Sequence, residues 1–394
     1  MNLRTSESKI IIIVSLFVIL IGLTFLIILG VFWFGILISI FGIMICLFHY
    51  VSKKKNLTYR QQLPAVLLFI TVFFICVRLF VFELYSIPSG SMEDSILIGD
   101  KVIVNKLCYG PRMPSSIHEI PMLNMFWRLS FKRNLKQPQD LSNYIRLKGY
   151  SELKRNDVVI FYAPWKKKNM IVFVKRCIGL PGDTVSIINS DIFINNELLP
   201  STPQTKHEYW IYSTSLDSIL TCLNSSEIKK WHSQDNKIKV NLTTESYKLL
   251  RANKKIDSIA IVNIAYDSLR QNTLKTNTAQ MNYCDFGPVV VPCVGYTIKL
   301  DSMNVRLYRR QLKIFEKVNV KYSGKKWLVN GIPSTHYTFK SNYYWMMGDN
   351  RHYSSDSRKW GFVHEEKIIG KASLIVYSHT KSDFNWKRLF KTIK

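Results

Sequence analysis

Acidic residues are in short supply. The 394-residue chain carries 27 Asp and Glu against 54 Lys and Arg, a formal net charge of +27. An excess of that sign points to an anionic partner, either nucleic acid or a membrane surface. No motif interleaving aromatic and basic residues accompanies the charge, which argues against nucleic acid. Charge of either sign is missing from Ile10 to Phe48. One spanning helix takes about 20 apolar residues, so this run has room for two, with Gly30 and Gly35 near the turn between them. A second apolar run extends from Leu63 to Phe82, broken only by Arg78, whose long stem can carry its charge to the headgroups.

Basic residues divide the first run. Arg4 and Lys9 precede it, and Lys53, Lys54, Lys55 and Arg60 follow it. Such clusters favour the cytoplasmic side, and a two-span hairpin keeps both there. Three spans are therefore expected, sending everything after Phe82 out of the cytoplasm. The first run has the basic start of a signal peptide, but it is too long and ends in no small-x-small cleavage site, so it is read as retained.

Several chemistries lack their signatures. There is no GxSxG elbow, HExxH helix, Walker loop or GxGxxG. The eight histidines show no paired spacing, and the seven cysteines include no CxxC, so no zinc site is expected. No cofactor is implied. Cys46 and Cys76 lie in the apolar runs. An oxidising compartment would permit a disulfide among Cys108, Cys177, Cys222, Cys284 and Cys293, but no spacing identifies a pair. Ser-x-x-Lys at Ser226 and Ser323 arises easily in a lysine-rich chain and lacks a Lys-Thr-Gly companion.

What remains after Phe82 is rich in short β-branched runs bounded by turn residues, such as "KVIVNK", "DVVIFYAP", "MIVFVKR" and "KASLIVYS". Asn195-Asn196 and Asn330-Gly331 are hairpin or bulge signals. The external part is read as mainly β. From about 209 to 280 the chain turns polar, with a helix near 246–252, and looks inserted. The expected organisation is a membrane region over 1–85, a catalytic core from 86–185 and 340–380, an inserted β-rich subdomain with a polar middle over 186–339, and a basic, solvated or lipid-facing tail over 381–394.

With histidine triads and metals set aside, lysine is the candidate base. In "MIVFVKRCIGLPGD" (Met170 to Asp183), Lys175 ends a strand-like apolar run. Burial penalises the ammonium form, and lowering a lysine from about 10.4 to near 7 costs roughly 4 to 5 kcal/mol at about 1.4 per unit. A neutral amine can then take the proton of a serine hydroxyl. Taken alone, a lysine at a strand end is ordinarily a snorkelling surface residue, and Ser91 in "PSGSM" is ordinarily a turn serine.

Three blocks, in this order after an apolar run, change that reading: "PSGSM", "KRCIGLPGD" and "GDNRHYSSDSRKWGFV". With "IGDKVIVNK" and "KRNDVVIFYAP" the chain resembles the type I signal peptidase family over most of 83–185 and 340–378, and more loosely between. The resemblance implies a fold of coiled β-sheets and a Ser-Lys endopeptidase that removes signal peptides from exported preproteins. It also implies a multi-pass protein of the bacterial cytoplasmic membrane, with the catalytic domain on the outer face and lipid beside it. Ser91 falls on the family's nucleophile and Lys175 on its general base. Ser89 falls on the hydroxyl of the oxyanion hole, which the Ser91 N–H completes, and Ser354 on the serine that orients the amine. Asp356 and Arg358 fall on a structural ion pair. Ile87, Met92, Ile96, Phe173 and Val174 fall on walls of pockets for small side chains. Two oxyanion donors contribute about 3 kcal/mol each.

The chain departs from the pattern at Asp94-Ser95, where the family often has Pro-Thr, at Cys177, and at His352 and Tyr353. Asp94 bears most directly on the site, because an acid close to Ser91 can perturb it. Two alternatives stay open: a membrane-anchored homologue that binds without cleaving, and a Ser-Lys protease of other membrane-tethered precursors. The residues do not specify the oligomeric state.

Overall fold

The structure is a computed structural model that describes residues 20, 32–55, 58–114, 120, 144–165, 171–213, 237–253, 255–262, 284–379 and 384–393. These divide into two compact units.

One unit is drawn from Met1–Leu84, Ile103–Leu153 and Ile369–Lys371. It contains two long helices, Phe32–Lys54 and Tyr59–Cys76. The ring of Phe41 meets those of Phe69 and Phe73 edge-on at 5.4 and 5.5 Å. Gly35, expected near a turn, lies inside the first helix; glycine is tolerated in apolar helices. The stretch Gln61–Val81, with a mean hydropathy of 2.5, is the one helix among the described residues long and apolar enough to cross a membrane. Apart from Leu20, the earlier part of the first apolar run lies outside the described residues. Arg78 pairs with Glu83 at 3.1 Å, and Glu83 also takes Lys106 at 2.9 Å.

The strands follow the β-branched runs. The first four are β1 (Phe82–Ser86), β2 (Lys101–Asn105), β3 (Val158–Tyr162) and β4 (Val172–Gly179). A meander then forms from β5 (Thr184–Ile188), β6 (Asp191–Ile194) and β7 (Glu197–Leu199). Its second turn is Asn195-Asn196 with φ of 53° and 70°, the left-handed pair of a tight hairpin turn. The polar stretch supplies β8 (Lys206–Tyr212), β9 (Lys237–Thr243) and β10 (Ser258–Ile261), a three-stranded sheet in the order β10-β8-β9. The helix Thr244–Arg251 starts where Thr243 accepts the Ser246 N–H at 3.0 Å.

Next come β11 (Phe286–Val290), which pairs with β5, and β12 (Thr297–Lys299), which pairs with β16 (His336–Thr338). A helix absent from the sequence reading spans Ser302–Ile314, capped by Asp301. Its apolar residues Val305, Tyr308 and Leu312 recur at helical spacing among arginines. The hairpins formed by β13 (Val320–Ser323), β14 (Lys326–Val329) and β15 (Ile332–Pro333) precede β16; the first turns at Gly324-Lys325 and the second at Asn330-Gly331, all four at positive φ. The chain closes with β17 (Tyr343–Met347), β18 (Val363–His364) and β19 (Ile368–Tyr377).

The largest sheet has the order β1-β2-β19-β3-β4-β17-β18. In the second unit, drawn from Tyr85–Val102, Lys154–Ile368 and Ala372–Lys394, one hydrophobic core gathers Val185 of β5, Phe286 of β11, Tyr308, Phe339, Trp345 of β17 and Phe362. The tail differs from expectation at Arg388. This residue is buried and donates to Asp100 Oδ2 at 2.7 Å and the Ser95 carbonyl at 3.2 Å. Asp100 is itself fully buried, and a buried carboxylate requires such a partner.

Candidate active site

Strand β4 is paired on both sides, with β3 through Val159 opposite Lys175 and with β17 through Met347 opposite Arg176. Successive side chains therefore point to opposite faces. Phe173 and Lys175 share one face, and Val174 and Arg176 the other. Phe161 stacks on Phe173 at 6.2 Å, Trp165 meets Phe173 edge-on at 5.2 Å, and Trp360 packs against Phe161 and Trp165. The Lys175 amine lies 5.8 Å from the Phe173 ring centre.

Lys175 is almost wholly buried. Desolvation lowers its pKa from 10.5 to about 8, opposed by the negative charges of Asp356 and Asp349 and assisted by Arg358. Its Nζ donates to Ser91 Oγ at 2.5 Å. Ser91 sits in a single 3-10 turn, Gly90–Met92, that follows Ser89 in extended conformation. Ser91 is buried and Ser89 exposed. Ser89 Oγ makes no hydrogen bond among the described residues and is free to face a bound peptide.

The loop after β17 supplies the opposite wall. A Cβ on Gly348 would stand 2.3 Å from Ser354 Oγ and 2.6 Å from the Ser91 carbonyl oxygen, so only glycine lets these two serines approach so closely. Ser354 Oγ is buried without an aligned hydrogen-bond partner. It still lies close enough to Asp356 to help hold that carboxylate charged. No hydrogen bond joins Ser354 to Lys175. Asp356 and Arg358 form a buried fork, Nε to Oδ1 at 2.9 Å and Nη2 to Oδ2 at 2.8 Å, and Asp356 also accepts the Gly348 N–H at 3.2 Å. Burial pushes the Asp356 carboxyl up, but Arg358 outweighs it and holds the pKa below the ordinary value.

Of the residues expected in pockets, Ile87 and Val174 are nearly buried, Phe173 is half-buried, and Met92 and Ile96 are sealed in the interior. Met92 Sδ accepts the Asp349 N–H at 3.4 Å. Cys177 is fully buried, and desolvation raises its thiol pKa well above the ordinary range, so it is a protonated packing residue. Asp183 caps its turn through the Leu180 N–H at 2.5 Å and pairs with Arg155 at 2.9 Å.

The sequence reading missed a second buried fork. Arg176, next to the amine-bearing residue, binds Asp349 through Nε at 2.8 Å and Nη2 at 2.6 Å, and Ser95 Oγ donates to the same carboxylate at 2.5 Å. It missed Asn350 as well, whose Nδ2 donates to the Gly90 carbonyl at 3.1 Å and to Glu93 Oε2 at 3.2 Å while its N–H donates to the Ser91 carbonyl at 3.1 Å. The only sequence signal for either was that Arg176, Asp349 and Asn350 sit in the quoted blocks. Among the described residues, no group of His, Cys, Asp or Glu is arranged to hold a metal ion.

A serine hydroxyl against a buried, partly neutral amine, with glycine-permitted backbone beside it, is an arrangement suited to acyl transfer. Comparison with known proteins gives this a family. The family model described as signal peptidase, peptidase S26, matches residues 60–258 and 289–377, most of the chain. The chain belongs to that family. It is similar to proteins named signal peptidase I from Buchnera aphidicola subsp. Schizaphis graminum, 27% identical over 85% of this chain and 80% of the relative, and from Aquifex aeolicus, 25% identical over 81% and 84%. A crystal structure of a signal peptidase I from Enterococcus faecalis aligns with 56% of this chain and 97% of its own at 17% identity, with a TM-score of 0.21.

Proposed function

We propose that the chain is a membrane-bound endopeptidase that cleaves signal peptides from exported preproteins, with Ser91 as nucleophile and Lys175 as general base. The observation that carries this reading is the 2.5 Å contact between Ser91 Oγ and a buried amine whose pKa falls to about 8. Near that pH a large share of the amine is neutral and able to accept a proton. Ser91 Oγ then attacks the scissile carbonyl carbon as its proton passes to Lys175 Nζ. The oxyanion takes hydrogen bonds from the Ser91 N–H and the Ser89 hydroxyl. The ammonium returns the proton to the leaving amine, the peptide C–N bond breaks, and a water activated by the same amine hydrolyses the acyl-enzyme. Ser354, on the facing loop beside Asp356, orients the amine during these transfers. Asp356 and Arg358 hold the loop that carries it. Ile87, Phe173 and Val174 form the walls that take small side chains, backed by Met92 and Ile96.

The same reading has residues 86–185 and 340–380 as the catalytic core, with 186–339 an elaboration of it and 381–394 a tail. Three spans anchor the chain in a bacterial cytoplasmic membrane, with the catalytic part outside and lipid as its neighbour. The apolar helix Gln61–Val81 supports an anchor shortly before Ser91 in sequence.

The test is cleavage of a preprotein with small residues at −3 and −1, in detergent or liposomes. Ser91→Ala and Lys175→Ala are each expected to lose at least about 10³-fold in kcat. The wild-type rate is expected to rise with pH through about 8. Full activity in either variant would reject the dyad, and absence of wild-type turnover would leave a non-cleaving binder.

A further inference from the structure

The first residue of the inserted sheet touches both sides of the active site. Lys206, at the start of β8, has a fully buried side chain whose Nζ lies 2.6 Å from Asp94 Oδ2. The contact is an ion pair without hydrogen-bond alignment. Asp94 comes three residues after Ser91, at a φ of 72°, a conformation that Asp and Asn adopt more readily than other non-glycine residues. At the same time the Lys206 N–H donates to the Asp349 carbonyl at 2.8 Å, and Lys206 forms a parallel bridge with Asn350. One residue thus grips the turn that carries Ser91 with its side chain and the loop that carries Ser354 with its backbone.

Neighbouring contacts run the same way. Asn241 on β9 donates to Asn350 Oδ1 at 3.1 Å. The Glu208 N–H donates to His352 Nδ1 at 3.1 Å, while His352 Nε2 faces the Val262 carbonyl at 2.7 Å. The Tyr353 hydroxyl donates to Glu208 Oε1. Asp94, His352 and Tyr353 are three of the positions at which the sequence departs from the family pattern, and all three meet β8 or the end of β10. No other carboxylate lies within ion-pair distance of Lys206 among the described residues.

We infer that Lys206 and Asp94 are positioning residues for the nucleophile: the ion pair sets where the Ser91 turn stands relative to the Lys175 amine, so that the inserted sheet takes part in catalysis without touching substrate. The inference rests on Ser91 and Lys175 being the reacting pair. Loss of the tether lets Ser91 drift from the amine, and a displacement of about 1 Å can cost on the order of 10²-fold in rate.

The experiment compares full-length wild type, Asp94→Asn, the double variant Asp94→Asn/Lys206→Met, and Ser91→Ala in the preprotein cleavage assay, with thermal unfolding of each. Asn suits the positive φ, so the single change removes charge alone. It leaves a buried ammonium unpaired and is expected to lower stability strongly. The double variant removes both charges and is expected to recover most of that stability. Its kcat is nevertheless expected to stay about 10- to 100-fold low, with KM within about threefold and the pH midpoint of kcat unmoved, because Asp94 is not among the charges acting on Lys175. Recovery of wild-type kcat together with stability would reduce the pair to a structural role and overturn the inference. A moved pH midpoint would also overturn it, in favour of a direct electrostatic effect. Full activity in Ser91→Ala would instead sink the dyad on which it rests.

Discussion

At the scale of single residues, the decisive quantity is the free energy stored in one buried ammonium. The Lys175 pKa falls from 10.5 to about 8. Between those values the unfolded chain holds a proton that the folded chain has released, so folding stability rises with pH across that window. Below about 8 both states are protonated, and burial of the charge costs the full difference, roughly 3 kcal/mol at about 1.4 per pH unit. Lys175→Met, which keeps the bulk of the stem, is therefore expected to abolish cleavage yet raise stability at pH 7 by about 1–3 kcal/mol. Its advantage should shrink as pH climbs from 8 toward 10.5. Urea unfolding of both proteins at pH 7 and pH 10 measures this, and an advantage independent of pH would contradict the cause assigned here.

The outcome at this scale shows what a sequence can and cannot disclose. That Lys175 lies on an apolar strand was legible from the unbroken apolar run Met170–Val174, but the strand does not end there: β4 continues to Gly179 and Lys175 stands mid-strand. That the Arg176 side chain turns to the other face and closes on Asp349 was not, since the partners lie far apart in the chain and nothing local marks them as a pair. Asn350 was hidden for the same reason: an asparagine in a turn-rich block looks like a turn former, and its three donations depend on the fold being assembled.

At the scale of elements, turn chemistry read well and helical periodicity read poorly. Asn195-Asn196 and Asn330-Gly331 turn where expected because positive φ at both positions leaves few residue choices. Asn189-Ser190 makes an equally left-handed turn between β5 and β6 and was overlooked, since serine advertises it less. The helix Ser302–Ile314 escaped notice because its three arginines obscure a narrow apolar stripe. The basic tail misled through composition. Lys387 and Lys391 fit a solvated end, but Arg388 reaches inward to Asp100, and the backbone around it bonds to β19 through the Ile375 N–H to the Lys391 carbonyl at 3.0 Å. Arg388→Met would leave the Asp100 carboxylate buried without its cation, at a cost of about 3–5 kcal/mol. Thermal unfolding should record it as a drop of several degrees, whereas Lys387→Met should change little.

At the scale of the whole molecule, buried neutral histidines set the acid limit. Burial holds His364 down to about 4 and also lowers His207, well below the ordinary value, and His352. Below about 6.5 the unfolded chain gains protons that these rings refuse in the folded state, so stability falls as pH falls. Each such histidine contributes up to about 1.4 kcal/mol per pH unit. The urea midpoint should therefore decline steeply from pH 6.5 to pH 4.5. In His364→Gln the decline should be shallower, and an equal slope in that variant would assign the acid loss to other groups. The overall mainly β plan was legible from the β-branched runs. The contribution of the polar stretch was not, because its core residues Ile211, Ile238, Val240, Leu242 and Leu250 are spread thinly through a polar segment and bury against one another only once the sheet has formed.

Asn350 holds the Gly90 carbonyl, Glu93 and Asn241 with one amide. Lineages descending from this chain cannot exchange Asn350 or Asn241 alone without taking the buried amide of the other from its partner. Drift at Asn241, remote in sequence from any reacting group, should therefore be tolerated only when Asn350 is replaced in step, so that the history of the insert is written jointly with that of the serine turn.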